Sequence, residues 1–332
     1  MRGPRTSVSV FLFCALLLWG RTTAVSQNPD PTAAAKYGFS FRNFTDTMFT
    51  WDIYCHSFFG VPLDQNLTWA TATFDRLFYE LAFKTMLPKG GGSGGGAGNC
   101  FGISLMSLMM NRFGGYYGYC APTNAYKGDT NFYNATGPYD QSLHRVINIM
   151  HGRQLSLAAL ETYLDQAQSG HSQNCNNGFQ LAKQTIAKEG PCLVSISNSA
   201  NPADGSGGHT LIAYGVTESP PGHGHIWVVD PNRLWVVNTP RDRAWYQGDS
   251  NHIECNLGTN KWSFRMAGDT TDWPSGPGNL IIIPMSLVGP PGRVPSSVGL
   301  SMGDLLNKLF LSDMKPEVDD RAQKPVPIRP AR

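Results

Sequence analysis

Residues 97–104 have the sequence Ala-Gly-Asn-Cys-Phe-Gly-Ile-Ser, which places one cysteine between a glycine-rich loop and an apolar run with helical spacing. The loop extends from Gly90 to Gly98, and the apolar run begins at Ile103. This pattern predicts that Cys100 is the first residue of a buried helix. Unpaired N–H groups and the helix dipole favour negative charge at such a position, so they lower the pKa of a thiol. Cys100 is therefore either a nucleophile or a small buried cysteine at a helix start.

The first 24 residues have the features of a secretory signal peptide. The basic start Met1–Arg5 is followed by an apolar run from Val8 to Trp19 and by small residues that end at Ala24. The apolar run is shorter than the roughly 18 residues that a transmembrane helix needs. We therefore predict a secreted protein that is cleaved after Ala24 and has no membrane partner.

The net charge of the mature chain argues against nucleic acid as a partner. The full chain has 26 basic and 24 acidic residues, and the predicted signal peptide removes Arg2, Arg5 and Arg21 but no acidic residue. The remaining charges nearly balance. Nucleic-acid partners usually require a clear excess of positive charge.

Glycosylation triplets and cysteines both fit an extracellular protein. Three N-x-[ST] triplets predict glycan attachment at Asn43, Asn66 and Asn134. Six cysteines remain after cleavage, at positions 55, 100, 120, 175, 192 and 255. Six cysteines in a secreted chain predict three disulfide bonds of unknown pairing. If Cys100 is a nucleophile, five remain, which allows two bonds and leaves one thiol over.

The apolar pattern predicts an α+β fold. Before Gly190 the apolar residues recur at three- and four-residue steps, as helices require. After Gly190 short runs of β-branched and aromatic residues predict an antiparallel sheet. The runs are 192–197, 210–216, 226–230, 233–237 and 280–283. The predicted divisions are a signal peptide (1–24), a helical segment (25–89), a main domain (90–289) and a partly disordered tail (290–332).

Two residues of the predicted sheet can serve a thiol nucleophile. His209 opens one strand and Asp230 closes the next, with a predicted hairpin loop between them. Because the two strands are of similar length, both side chains can end at the same edge of the sheet. A histidine beside a carboxylate can take the proton of a thiol, and the carboxylate fixes the imidazole tautomer.

The order of these motifs resembles the papain-like cysteine peptidase superfamily, closest to the branch of double-glycine leader peptidases. The similarity covers about Cys100 to Asn232 and includes Gly190-Pro191, the segment 208–215 and the segment 228–232. It implies a papain-like fold in which a helical half with the nucleophile helix packs on the sheet. It also implies Cys100 as nucleophile, His209 as general base and acid, and Asp230 as the residue that orients His209.

One departure from this family concerns the oxyanion. The family has a glutamine about six residues before the cysteine, whereas position 94 here is glycine. The Cys100 N–H would then act with Asn99 or with an N–H of the glycine loop. Losing one such donor typically lowers the rate by about 10²–10³-fold.

The predicted function is that of a secreted thiol protease or amidase that acts on a peptide or protein through a thioester on Cys100. Acyl transfer by the same three residue types is a related hypothesis. The alternative is a non-catalytic secreted glycoprotein, an extracellular-matrix or binding component in which all six cysteines are paired. No cofactor is predicted. No metal site is predicted either, because His223-Gly224-His225 has few supporting carboxylates nearby.

Overall fold

A computed structural model gives the fold of the 332-residue chain. It describes residues 28–45, 49–58, 73–84, 87, 98–126, 142–168, 170–198, 208–234, 244–246, 250–267, 272–274 and 278–289. The predicted signal peptide, the sites Asn66 and Asn134, and the tail after 290 lie outside these residues.

Helices fill the first part of the described chain. The α-helices of four or more described residues are α1 (Ala33–Tyr37), α2 (Trp51–Phe58), α3 (Thr73–Phe78), α4 (Cys100–Arg112), α5 (Leu143–Gly152), α6 (Leu157–Gln168), α7 (Cys175–Glu189) and α8 (Met285–Val288). Residues 244–246 are also helical. A π-helical turn, Tyr79–Phe83, continues α3. None of the helices among the described residues is both long enough and apolar enough to cross a bilayer.

A six-stranded antiparallel sheet follows α7. Its strands are β1 (Cys192–Ser197), β2 (Gly208–Glu218), β3 (His223–Val229), β4 (His252–Asn256), β5 (Lys261–Ser263) and β6 (Asn279–Ile283). Their order across the sheet is β5-β4-β3-β2-β1-β6. The described residues therefore confirm the predicted α+β class.

Both faces of the sheet are covered, which explains why its central strands are apolar at nearly every position. Side chains alternate between the two faces of a strand. One cluster of buried side chains joins Leu193 and Ile283 to α4 and α5, and a second joins Val194 and Ile282 to α7. The helices α4 and α7 thus lie on opposite faces, and α4 brings its first residue to the sheet beside β2.

The helix α4 begins at Cys100, as predicted. Asn99 occupies the N-cap position, but its side chain makes no capping hydrogen bond to the helix. Instead, Phe101 interacts through its backbone N–H with the Cys100 sulfur. The N–H of Gly102 donates to Nδ1 of the buried His151 at 3.4 Å. The first turn of α4 therefore directs one N–H group, that of Phe101, towards the sulfur and another, that of Gly102, towards His151.

We expect Gly102→Ala to destabilise the fold. Gly102 lies where α4 crosses α5, and a Cβ there would lie 2.3 Å from the Ile147 carbonyl oxygen and 2.8 Å from the His151 Cβ. Overpacking of this kind typically costs about 1–3 kcal/mol. Gly258→Ala is the matched control, because the nearest atom to its Cβ would lie 3.6 Å away. Urea unfolding should show a lower midpoint for Gly102→Ala alone; equal midpoints would contradict this account of the crossing.

Candidate active site

The Cys100 thiol lies at the junction of α4 and β2. Its Sγ accepts a hydrogen bond from the Thr210 backbone N–H at 3.4 Å, and it interacts with the His209 side chain. The Ser104 hydroxyl, one turn further along α4, donates to the Thr210 carbonyl oxygen at 3.1 Å. These contacts fix the start of α4 against the strand that carries His209.

His209 and Asp230 form a buried pair, as the sequence predicts. His209 Nε2 lies 2.8 Å from Asp230 Oδ1. Because Asp230 uses Nε2, the nitrogen left for the Cys100 sulfur is Nδ1. Cys100 is 7% exposed, His209 3% and Asp230 0%. The three predicted residues therefore meet in one enclosed place, although the chain separates them widely.

The two titrating groups shift towards an ion pair. Burial alone would raise the pKa of the Cys100 thiol, but contact with His209 and the N–H groups of Thr210 and Phe101 outweigh burial and lower it. Burial would likewise lower the pKa of His209, but Asp230 and Cys100 raise it to about 10. A thiolate beside an imidazolium is the reactive form of a catalytic cysteine.

Asp230 is held from several sides. Its Oδ1 also accepts from the Asn232 N–H at 2.7 Å, and its Oδ2 lies 3.8 Å from Arg233 Nε. The Tyr246 hydroxyl lies 3.2 Å from both the backbone nitrogen and the carbonyl oxygen of Asp230. The carboxylate therefore has a fixed position from which it orients the imidazole, because the turn after β3 supplies several of its contacts.

No family model, curated protein or solved structure matches the chain.

Asn99, the predicted oxyanion residue, is buried next to Cys100 but its amide donor is engaged. Asn99 Nδ2 donates to Asn148 Oδ1 at 2.6 Å, and Asn99 Oδ1 has no hydrogen-bond partner among the described residues. The side chain thus positions the loop before α4 and does not present its N–H₂ group to a bound carbonyl. Of the other predicted donors, the described residues include the Cys100 backbone N–H at the start of α4 and that of Gly98, which forms a β-bridge with Thr45.

A short stretch that we name the crossing segment, residues 40–45, connects the two loops of the site. The Asn43 N–H donates to the Pro231 carbonyl oxygen at 2.9 Å, directly after Asp230. The Phe44 carbonyl oxygen accepts from the Asn99 N–H at 2.8 Å, directly before Cys100. The segment therefore joins the turn after Asp230 to the loop before Cys100.

The crossing segment includes Asn43, one of the predicted glycosylation sites. The Asn43 side chain is half-buried, its Oδ1 lies inside the protein, and its amide packs on Gly98. Glycan attachment at Asn43 stays a prediction.

The motif His223-Gly224-His225 lies on β3. His223 Nδ1 is 3.6 Å from Glu254 Oε1, and the His225 ring packs against the His252 ring. Among the described residues no group of three or more histidines, cysteines or carboxylates is arranged to hold a metal ion.

Sequence reasoning missed three residues that support the site. Thr210 follows His209 directly, so its N–H could have been inferred once β2 was placed beside α4. Asn148 and Tyr246 had no such signal, because each contributes one side chain from an element with no catalytic motif of its own.

Proposed function

We propose that the protein is a secreted cysteine hydrolase of the papain-like superfamily that cleaves an amide or ester bond in a peptide or protein. One observation carries the proposal: a thiol at a helix start faces an imidazole that a buried carboxylate holds from its far side. A helix that carries the nucleophile and packs on an antiparallel sheet supports the papain-like fold.

The arrangement supports a two-step reaction. The Cys100 thiolate attacks the carbonyl carbon and forms a C–S bond, and the oxyanion faces the backbone N–H at the start of α4. The His209 imidazolium then donates its proton to the leaving amine or alkoxide as the C–N or C–O bond breaks. In the second step His209 takes a proton from water, the hydroxide attacks the thioester, and the C–S bond breaks to restore the thiolate. If an amine replaces water, the same steps give acyl transfer.

The second candidate is a secreted glycoprotein that keeps this fold without catalysis. Two observations favour it: Cys100 and His209 are almost fully enclosed, and position 94 is glycine where the family has glutamine. Catalysis requires that a substrate reach the sulfur beside the crossing segment. A test of thiol reactivity separates the two candidates, because a structural cysteine has no reason to be ionised.

The experiment is alkylation of the full chain with iodoacetamide at pH 5.5, followed by peptide mapping. We expect the label at Cys100, because an ordinary thiol is almost entirely protonated at this pH. Cys192 is the internal control, because it is also buried, and burial raises its pKa to about 12. Equal labelling of Cys100 and Cys192, or a disulfide at Cys100, would overturn the proposal. A parallel loss of hydrolysis of a general casein or nitrophenyl ester substrate in Cys100→Ala would support it.

A further inference from the structure

Two cysteine sulfur atoms lie away from the candidate active site, on the opposite face of the sheet. Cys175 is the first residue of α7 and Cys255 is in β4, and both are fully buried in the cluster between α7 and the sheet. The Cys175 thiol donates to the Asn256 carbonyl oxygen at 3.6 Å, next to Cys255 along β4. The two side chains therefore meet where α7 begins.

The two thiols interact directly. Contact with Cys255 lowers the pKa of Cys175, while contact with Cys175 and burial raise the pKa of Cys255 well above its ordinary value. Both cysteines are in the reduced form in the structure. The contrast identifies Cys175 as the thiol that ionises first, which agrees with its place at a helix N-terminus.

We propose that Cys175 and Cys255 form a structural disulfide bond in the secreted protein. A partner of the disulfide class, such as oxidised glutathione or an oxidised dithiol protein, is the oxidant. The Cys175 thiolate attacks one sulfur of this partner, forms a mixed disulfide and displaces one thiolate. The Cys255 thiolate then attacks the Cys175 sulfur and displaces the second thiolate. Two protons leave the protein thiols and the two electrons reduce the partner to two thiols.

The bond would join the start of α7 to β4 and enclose β1, β2 and β3 in one covalent loop. It would account for two of the six cysteines of the mature chain, and neither of these is Cys100. The described contacts of Cys100 are with His209, Thr210 and Phe101, and none of them is with a sulfur atom. A bond between Cys175 in α7 and Cys255 in β4 therefore does not involve the Cys100 thiol.

A disulfide map tests the bond without any variant. The full chain is produced through an oxidising secretory route, its thiols are blocked with N-ethylmaleimide, and it is digested without reductant for mass spectrometry. We expect one linked peptide pair that contains Cys175 and Cys255 and separates on reduction. Blocked thiols at both positions, or a bond from either one to another cysteine, would overturn the proposal. Neither outcome depends on the reactivity of Cys100, so this test is independent of the hydrolase proposal.

Thermal unfolding gives a second measurement. Disulfide bonds commonly stabilise by an amount that corresponds to about 5–15 °C in a domain of this size. Reductant should lower the melting temperature of the natural protein by that amount and leave Cys175→Ser/Cys255→Ser unchanged. Cys192→Ser, from the same buried cluster, is the control and should keep the full response to reductant. A natural protein whose melting temperature does not respond to reductant would contradict the bond.

Discussion

Replacing His209 with alanine is expected to slow alkylation of Cys100 at pH 6 by about 100-fold. Contact with the imidazole lowers the pKa of the Cys100 thiol against the opposing effect of burial. Without that contact the thiol returns to its ordinary range or above, where less than about 1% is ionised at pH 6. Hydrolysis should fall by about 10²–10⁴-fold, since the same residue transfers the proton to the leaving group. The measurement is the iodoacetamide rate constant from pH 5 to pH 10.

The matched control is His223→Ala on β3. That histidine is 40% exposed and pairs with Glu254 on the far part of the sheet, so its loss should change neither the rate nor the pH profile. The His209→Ala profile should rise only at alkaline pH, where the isolated thiol ionises. A profile that coincides with that of the natural protein would show that the imidazole does not activate the sulfur.

Asp230→Asn is expected to lower the free energy of unfolding by about 3–5 kcal/mol at pH 6, as when one partner of a buried ion pair is removed. Burial alone would lower the pKa of His209, but the opposite effect of Asp230 and Cys100 is larger and raises this pKa to about 10. The folded protein therefore holds this proton more tightly than the unfolded chain, whose histidine titrates near 6.5. The resulting stabilisation is complete below about pH 6.5 and is lost as the pH rises through about 10. The deficit of the variant should shrink accordingly between these values.

Denaturant titrations at pH 6, 8 and 10 would measure this trend. Asp272→Asn is the control: this carboxylate pairs with Arg265 at the surface and is 47% exposed, so its loss should cost less than about 1 kcal/mol. A deficit for Asp230→Asn that is the same at all three pH values would mean that the His209 proton does not depend on the carboxylate.

The sequence predicts the central parts of this fold because there the local pattern and the tertiary environment agree. Strands β1 and β6 bury apolar residues on both faces since a helical layer covers each face, and these largely apolar runs are visible in the sequence. Residues 176–178, Asn-Asn-Gly, have the composition of a turn, but they lie in the first turn of α7, because the Asn174 side chain accepts from the Asn177 N–H and caps that helix. Turn residues and cap residues are the same types, so spacing alone could not separate the two.

The two strands at the other edge of the sheet from β6 were harder to predict. Strands β4 and β5 are short and carry polar residues on their exposed face, so they were not predicted. The strand predicted at 233–237 is wrong for Arg233 and Leu234, which belong to the turn after Asp230, and the remaining positions lie outside the described residues. Arg233 lies in this turn and not in a strand, and its guanidinium faces the Asp230 carboxylate and the Trp245 ring.

The candidate site also has a part that the sequence predicts and a part that it does not. Cys100, His209 and Asp230 were predictable because each stands at the end of a regular element, where topology determines what can meet. The crossing segment was not predictable, because it reaches both loops through backbone N–H and C=O groups. Such groups are identical in every residue, so no sequence motif records them.

The crossing segment also sets a limit on how the protein can be shortened. The predicted boundary between the helical segment and the main domain, at residues 89 and 90, looks like a natural place to cut. A fragment that starts there would lose the Phe44 acceptor of the Asn99 N–H and the Asn43 donor to Pro231. A protein from which only the predicted signal peptide is removed keeps both of these hydrogen bonds next to the candidate site.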